Sequence, residues 1–205
     1  MQPPFSVIAA PVDPMVAIGE APSVLRAIQD RNVQLALWQR PRPAALAGID
    51  SLDWTAISNI DCDIEVADIE NGIAQAIGDA GYDPVRAALI AEATNLALLF
   101  APIMQASVLR FRLEVIATDA CRKFHMDYVP ARLLTTFCGR GTEWQHADRP
   151  YQVHAMAPGD VAIFKGRLLA DEPRILHRSP PIGGTGESRL LLAIDPVTPD
   201  RHRIA

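Results

Sequence analysis

The chain has 205 residues, enough for one domain of ordinary size with a modest appendage. Apolar residues make up 49% and charged residues 21%, the balance of a folded globular chain, so global disorder is excluded. The 19 basic residues against 24 acidic ones leave a net charge of −5, which argues against a nucleic-acid partner, since gripping a phosphate backbone takes a basic stripe.

The opening residues do not read as a secretory leader: the first basic residue is Arg26, and Pro3, Pro4, Pro11 and Pro14 interrupt the apolar start. The longest uncharged stretch, 93–109, carries Thr94, Asn95, Pro102, Gln105 and Ser107 and reads as too short and too polar to span a bilayer. Three cysteines (Cys62, Cys121, Cys138) with no C-x-x-C argue against a disulfide framework or a zinc knuckle. The expectation is a cytoplasmic chain with reduced thiols and no membrane partner. Its oligomeric state stays open.

In chain order, residues 22–30 suit a short helix and 33–38 (VQLALW) a short strand that ends at Arg40-Pro41-Arg42-Pro43. Val66, Ile69, Ile73 and Ile77 recur at helical spacing, with Gly81 placed for a left-handed cap just beyond. Asp83-Pro84 suits an N-cap and first helical residue, and a stripe of Val85, Leu89, Ala93, Leu96, Phe100 and Ile103 follows, with Pro102 kinking or fraying the end. After Ser107 the texture changes. Phe111, Leu113 and Val115 alternate with charged residues; 132–137 (RLLTTF), 161–164 (VAIF) and 189–194 (RLLLAI) read as strands separated by turns and a Gly/Pro-rich loop at 180–186. Short strands without intervening helices indicate an antiparallel sandwich or barrel, with helices packed outside one sheet. Apolar residues on both faces of 189–194 place that strand at the centre of the sheet.

His125-Met126-Asp127 sits where a strand is expected, and residues two apart on a strand share a face, so an imidazole and a carboxylate project together. Alone, such a pair reads equally as surface chemistry. His177 lies 50 residues after Asp127, beyond a hairpin region that can return it to the same place. Two imidazoles and one carboxylate on one face of a metal leave positions open, which is the facial triad of non-haem Fe(II) oxygenases. Arg189 lies 12 residues after His177 on an otherwise apolar strand, where a guanidinium needs an anion: an internal salt bridge to Glu143 or Asp195, or the carboxylate of a ligand.

This spacing of H-x-D, His and Arg resembles the signature of the Fe(II)/2-oxoglutarate-dependent dioxygenases. So does the run 158–166 (PGDVAIFKG) followed by 176–181 (LHRSPP). Pattern and resemblance together give an α+β chain in one compact domain: the resemblance, which covers about 107–197, implies a double-stranded β-helix (jelly-roll, cupin-like) core over 107–205, and the periodicity places a mostly helical layer over 1–106 before it. The resemblance also implies Fe(II) on His125, Asp127 and His177, and 2-oxoglutarate with its far carboxylate on Arg189. The substrate, a small molecule or peptide, is not readable. Arg112 and Arg132 are the candidates for further co-substrate contacts, and 169–174 lengthens the approach to His177. The whole chain also resembles a bacterial family called domain of unknown function 1826, through Asp119, Cys121, 124–127 (FHMD), 132–136 (RLLTT) and 139–144 (GRGTEW). That family name implies no activity.

The alternative on the same residues is a non-catalytic, Zn(II)-type metal-binding protein of cupin-like shape, serving metal homeostasis or sensing. A module whose His and Asp are incidental is a further rival. Cys121 and Cys138 flank His125 and read better as small buried thiols than as ligands. Residues 139–144 suit a hairpin turn with a core Trp or a pocket mouth, and His146, His154 and His202 read as surface residues. No phosphate-binding glycine loop and no serine-hydrolase elbow is found in the sequence.

Overall fold

A computed structural model describes residues 13–78 and 80–197. In chain order its strands are β1 (Val16–Gly19), β2 (Leu35–Trp38), β3 (Ile60–Glu65), β4 (Val108–Ile116), β5 (Ala131–Cys138), β6 (Glu143–His146), β7 (His154–Ala155), β8 (Val161–Lys165), β9 (Ile175–Arg178) and β10 (Arg189–Pro196). Two α-helices, α1 (Ile69–Gly78) and α2 (Arg86–Met104), lie between β3 and β4. The chain is α+β, with a seven-stranded sheet in the order β1-β2-β8-β5-β10-β4-β3 and a three-stranded sheet in the order β7-β6-β9. Among the described residues β1 and β2 pair in parallel and the other neighbours of the large sheet pair antiparallel.

The side-chain alternation of β10 explains the layers. Leu190, Leu192 and Ile194 join a core that includes Ile73, Leu89 and Phe100 of the helices. Leu191 and Ala193 point the other way, into a second core with Leu134, Phe164, Trp144 and Ile175. Trp144 and Ile175 belong to the small sheet, so the large sheet is covered on both faces. β10 is buried along its whole length between β4 and β5, as its two apolar faces require.

The helical stripe of α2 is buried as the periodicity implies: Val85, Leu89, Ala93, Leu96, Phe100 and Ile103 all lie in the core. This helix is long and apolar enough to cross a membrane by length and composition, yet that stripe is spent on the sheet. Its start differs from the expected cap. The helix begins at Arg86, and Asp83 pairs with the Arg86 side chain instead of capping. Gly81 takes the expected positive φ, 93°.

The first half is less helical than its periodicity suggests, so residue 107 is not a boundary in the sheet. β1, β2 and β3 are all strands of the large sheet, and residues 22–29 form a 3-10 helix. β3 escapes a sequence reading because Asp61, Asp63 and Glu65, poor strand formers, alternate with its apolar residues. Arg110 on β4 offsets the first of them, donating Nε and Nη2 to the Asp61 carboxylate at 2.7 and 2.6 Å.

Candidate metal centre

His125 does not lie on a strand, contrary to the sequence expectation. It makes one isolated antiparallel bridge to His177 of β9, each residue donating its backbone N–H to the other's carbonyl at 3.0 Å. That single bridge sets the two imidazoles side by side, with ring centroids 4.8 Å apart. Asp127 follows in a loop held by the end of β8: Gly166 N–H donates to Pro130 O at 2.8 Å and Arg167 N–H to Asp127 O at 2.9 Å. The loop lies so close that a Cβ on Gly166 would stand 1.9 Å from Val129 O.

The three side chains converge, with ligand atoms all within 4.8 Å of one another. Asp127 Oδ1 is 3.5 Å from His125 Nε2, and Oδ2 is 3.0 Å from His177 Nε2. Oδ2 is buried without an aligned hydrogen bond among the described residues. A buried carboxylate whose two oxygens each face one imidazole nitrogen, one of them without an aligned hydrogen bond, suits a cation. His125 Nδ1 lies 2.8 Å from Lys123 O; an N–H there leaves the Nε2 lone pair facing the site, as metal binding requires. Burial works against the charged Asp127, but the imidazoles of His125 and His177 and the guanidinium of Arg132 hold its carboxyl well below the usual range. Asp127 in turn lifts the His125 imidazole, whereas burial pushes His177 down.

Arg189 is fully buried and finds neither of the carboxylates considered for it. It donates Nε to Arg140 O, Nη1 to Ser179 Oγ at 2.8 Å and Nη2 to Thr136 Oγ1 at 3.2 Å. Glu143 is taken by Arg178, and Asp195 by Arg112 and Arg132. Burial without a carboxylate pulls the Arg189 pKa down to about 10. The guanidinium is thus satisfied by one backbone carbonyl and two hydroxyls in place of a charge.

A cavity of about 160 Å³ adjoins the triad; His125, His177, Arg112, Arg132, Thr142 and Ser179 are among the residues that line it. Arg112 and Arg132 therefore face the site, as two candidates of the sequence reading. What that reading missed is the grip on Asp127: Arg132 Nη1 lies 2.7 Å from its Oδ1. It also missed Gln34, whose side chain bonds the backbone of Glu172, Arg174 and Ile175 and so guides the long approach into β9. Neither cysteine is the buried thiol expected: Cys121 is exposed and lines the cavity outside the ligand group, and Cys138 is half-buried beside Asp50 and Arg42. Trp144 is a core residue, while Thr142 of the same turn lines the cavity. His154 is exposed, but His146 is not the surface residue expected: it is 3% exposed and pairs with Asp13 at 2.9 Å. His202 lies outside the described residues.

Two imidazoles and one carboxylate beside a cavity on an α+β fold define a candidate mononuclear metal protein. The chain belongs to the family described as Protein of unknown function (DUF1826), whose model matches residues 19–195. In solved structures its fold is similar to the dioxygenase for auxin oxidation of rice, with a TM-score of 0.57 at 14% identity, covering 92% of this chain and 84% of that one. It is also similar to the dioxygenase for auxin oxidation 1 of Arabidopsis thaliana, solved as a 2-oxoglutarate binary complex, with a TM-score of 0.55 at 11% identity and coverages of 90% and 92%. At such identities the likeness is one of fold. No curated protein matches the chain.

Proposed function

We propose that the protein is a cytoplasmic non-haem Fe(II)/2-oxoglutarate-dependent oxygenase with a double-stranded β-helix (jelly-roll) core. The observation that carries this reading is the convergence of His125, Asp127 and His177 around an unspent carboxylate oxygen. The jelly-roll assignment is supported by the run β4-β10-β5-β8 in one sheet, covered by a small sheet to which His125 adds a bridge. In this account the helices before residue 107 back the outer face of the large sheet.

His125 and His177 hold Fe(II) through Nε2, and Asp127 through its carboxylate. Arg189 takes the far carboxylate of 2-oxoglutarate by its forked N–H groups, with Ser179 and Thr136 adding hydroxyl donors. Bound Fe(II), with dioxygen and 2-oxoglutarate, supplies oxidation of a C–H bond coupled to oxidative decarboxylation of the co-substrate. The chain's own part is positional. The His125–His177 bridge fixes the imidazoles, Arg132 fixes the carboxylate, and Leu134, Leu191 and Ala193 keep the cavity floor apolar.

Purification without chelators followed by metal analysis tests the site. One triad holds about one ion per chain. His125→Ala, Asp127→Ala and His177→Ala should each abolish tight binding, and His154→Ala should not. An ion retained by all three variants would reject the site. Binding of metal at the triad with no affinity for 2-oxoglutarate would leave the Zn(II)-type, non-catalytic reading in its place.

A further inference from the structure

We infer that the prime substrate carries a carboxylate, and that Arg112 is the residue that reads it. The inference rests on the oxygenase reading for the positions of metal and co-substrate, and on a separate observation for Arg112.

Three guanidiniums line the cavity beside the triad: Arg112, Arg132 and Arg178. Two of them are closed by carboxylates. Arg178 donates Nε to Glu143 at 2.7 Å and lies over the Phe124 ring. Arg132 is held by Asp195 through Nε and Nη2, at 2.7 and 2.8 Å, and its Nη1 meets Asp127. Arg112 is the third, and it receives only what the others leave. Its Nη2 reaches Asp195 Oδ2 at 3.2 Å, the oxygen that Arg132 already binds more closely. Its Nη1 is 4.0 Å from Glu114, beyond hydrogen-bond reach, and its buried Nε has no partner among the described residues. The Arg112 side chain is only 16% exposed. Arg112 and Arg132 thus share Asp195, and Arg112, whose other carboxylate neighbour Glu114 stands on the same cavity wall at ion-pair range without a hydrogen bond, keeps unspent N–H groups there.

A buried guanidinium with unspent N–H groups is costly unless an anion meets it. The neighbouring floor is apolar: Ile116, Leu134, Leu191 and Ala193. The chemistry matched by that pair of features is a small acid with an apolar body, its carboxylate on Arg112 and its body over the floor. Arg189 lies at the opposite end of the same face of β10, four positions before Ala193, which pairs with Arg112. Arg189 does not line this cavity, so a carboxylate on Arg112 would stand apart from it.

The test uses the full chain loaded with Zn(II), with and without 2-oxoglutarate, and three probe acids: hexanoate, benzoate and cinnamate. Their uncharged amides serve as controls, and binding is read by saturation-transfer NMR. The acids should bind wild type at millimolar concentration or better, the amides roughly tenfold more weakly or not at all, and 2-oxoglutarate should not displace the acids. Arg112→Gln should weaken acid binding roughly tenfold or more, Arg112→Lys less, because it keeps the charge and loses the fork. Equal binding of acid and amide, no acid binding at millimolar concentration, or acid binding unchanged in Arg112→Gln would overturn the inference. Where a variant does not fold, the acid–amide comparison is repeated on metal-free wild type, in which no open metal position can take the carboxylate, and loss of the acid preference there would overturn the inference. Titration of 2-oxoglutarate into the same proteins separates the two readings. Loss of 2-oxoglutarate in Arg112→Gln but not Arg189→Gln would assign Arg112 to the co-substrate and sink the inference alone. No 2-oxoglutarate binding in any protein would sink the oxygenase reading, and the probe acids would still judge Arg112.

Discussion

Arg132 Nη1 lies 2.7 Å from Oδ1 of Asp127, so one oxygen of the candidate metal carboxylate is already in an ion pair and the other faces His177. Asp195, 3% exposed, anchors the guanidinium by two parallel hydrogen bonds. Arg132→Gln would leave Asp195 with only its longer bond to Arg112. Removing one partner of a buried ion pair costs about 3–5 kcal/mol. Urea denaturation of the metal-free protein should show a loss of that order, and metal titration should show weaker binding as Asp127 loses its support. A neutral Arg132→Gln would mean that the network is not closed in solution.

Gly166 is the contact that seats the H-x-D loop. An added Cβ would stand 1.9 Å from Val129 O and 3.0 Å from Asp127 O, both backbone atoms that cannot swing aside. Gly166→Ala should therefore push the loop off β8 and weaken metal binding by roughly tenfold or more, as a misplaced ligand does. Isothermal calorimetry with Zn(II) reads this directly. Unchanged affinity would show that the loop holds Asp127 without this contact.

Leu192 lies at the centre of β10, fully buried against the helical side of the core. Leu192→Ala should cost about 2–5 kcal/mol through the cavity it leaves. Equilibrium urea unfolding checks it, and a change near zero would contradict the central placement of β10.

In the metal-free protein Asp127 raises the pKa of His125 and so favours its protonated form. The proton and a metal compete for the same nitrogen. Affinity should therefore fall as pH drops through the raised His125 value, and metal uptake near neutral pH should release protons. Calorimetric titrations in two buffers of different ionisation enthalpy should give different apparent heats. Identical heats would show that His125 is already neutral.

The strands that were legible share a property: their residues report burial directly. β4 alternates, and β5, β8 and β10 carry apolar residues on both faces. β6 (EWQH), β7 (HA) and β9 (ILHR) are too short and too polar to show a period, and each depends on its neighbours for pairing. The spacing of His125, Asp127 and His177, which the fold brings together, was legible through its resemblance to a known signature. The supports were not. Arg132 meets Asp195 only because β5 and β10 pair in a register that sets them together, and no local pattern encodes a contact across 63 residues. Arg189's lack of a carboxylate likewise follows from where Glu143 and Asp195 find their partners.

The most direct measurement of the central claim is an anaerobic titration of the Fe(II)-loaded protein with 2-oxoglutarate, following the metal-to-ligand absorption band. Wild type should develop a saturable band. Arg189→Lys should need more co-substrate and Arg189→Ala more still, because lysine keeps the charge without the fork, while Fe(II) binding stays intact in both. Absence of the band at millimolar 2-oxoglutarate, with Fe(II) demonstrably held by His125, Asp127 and His177, would contradict the oxygenase assignment.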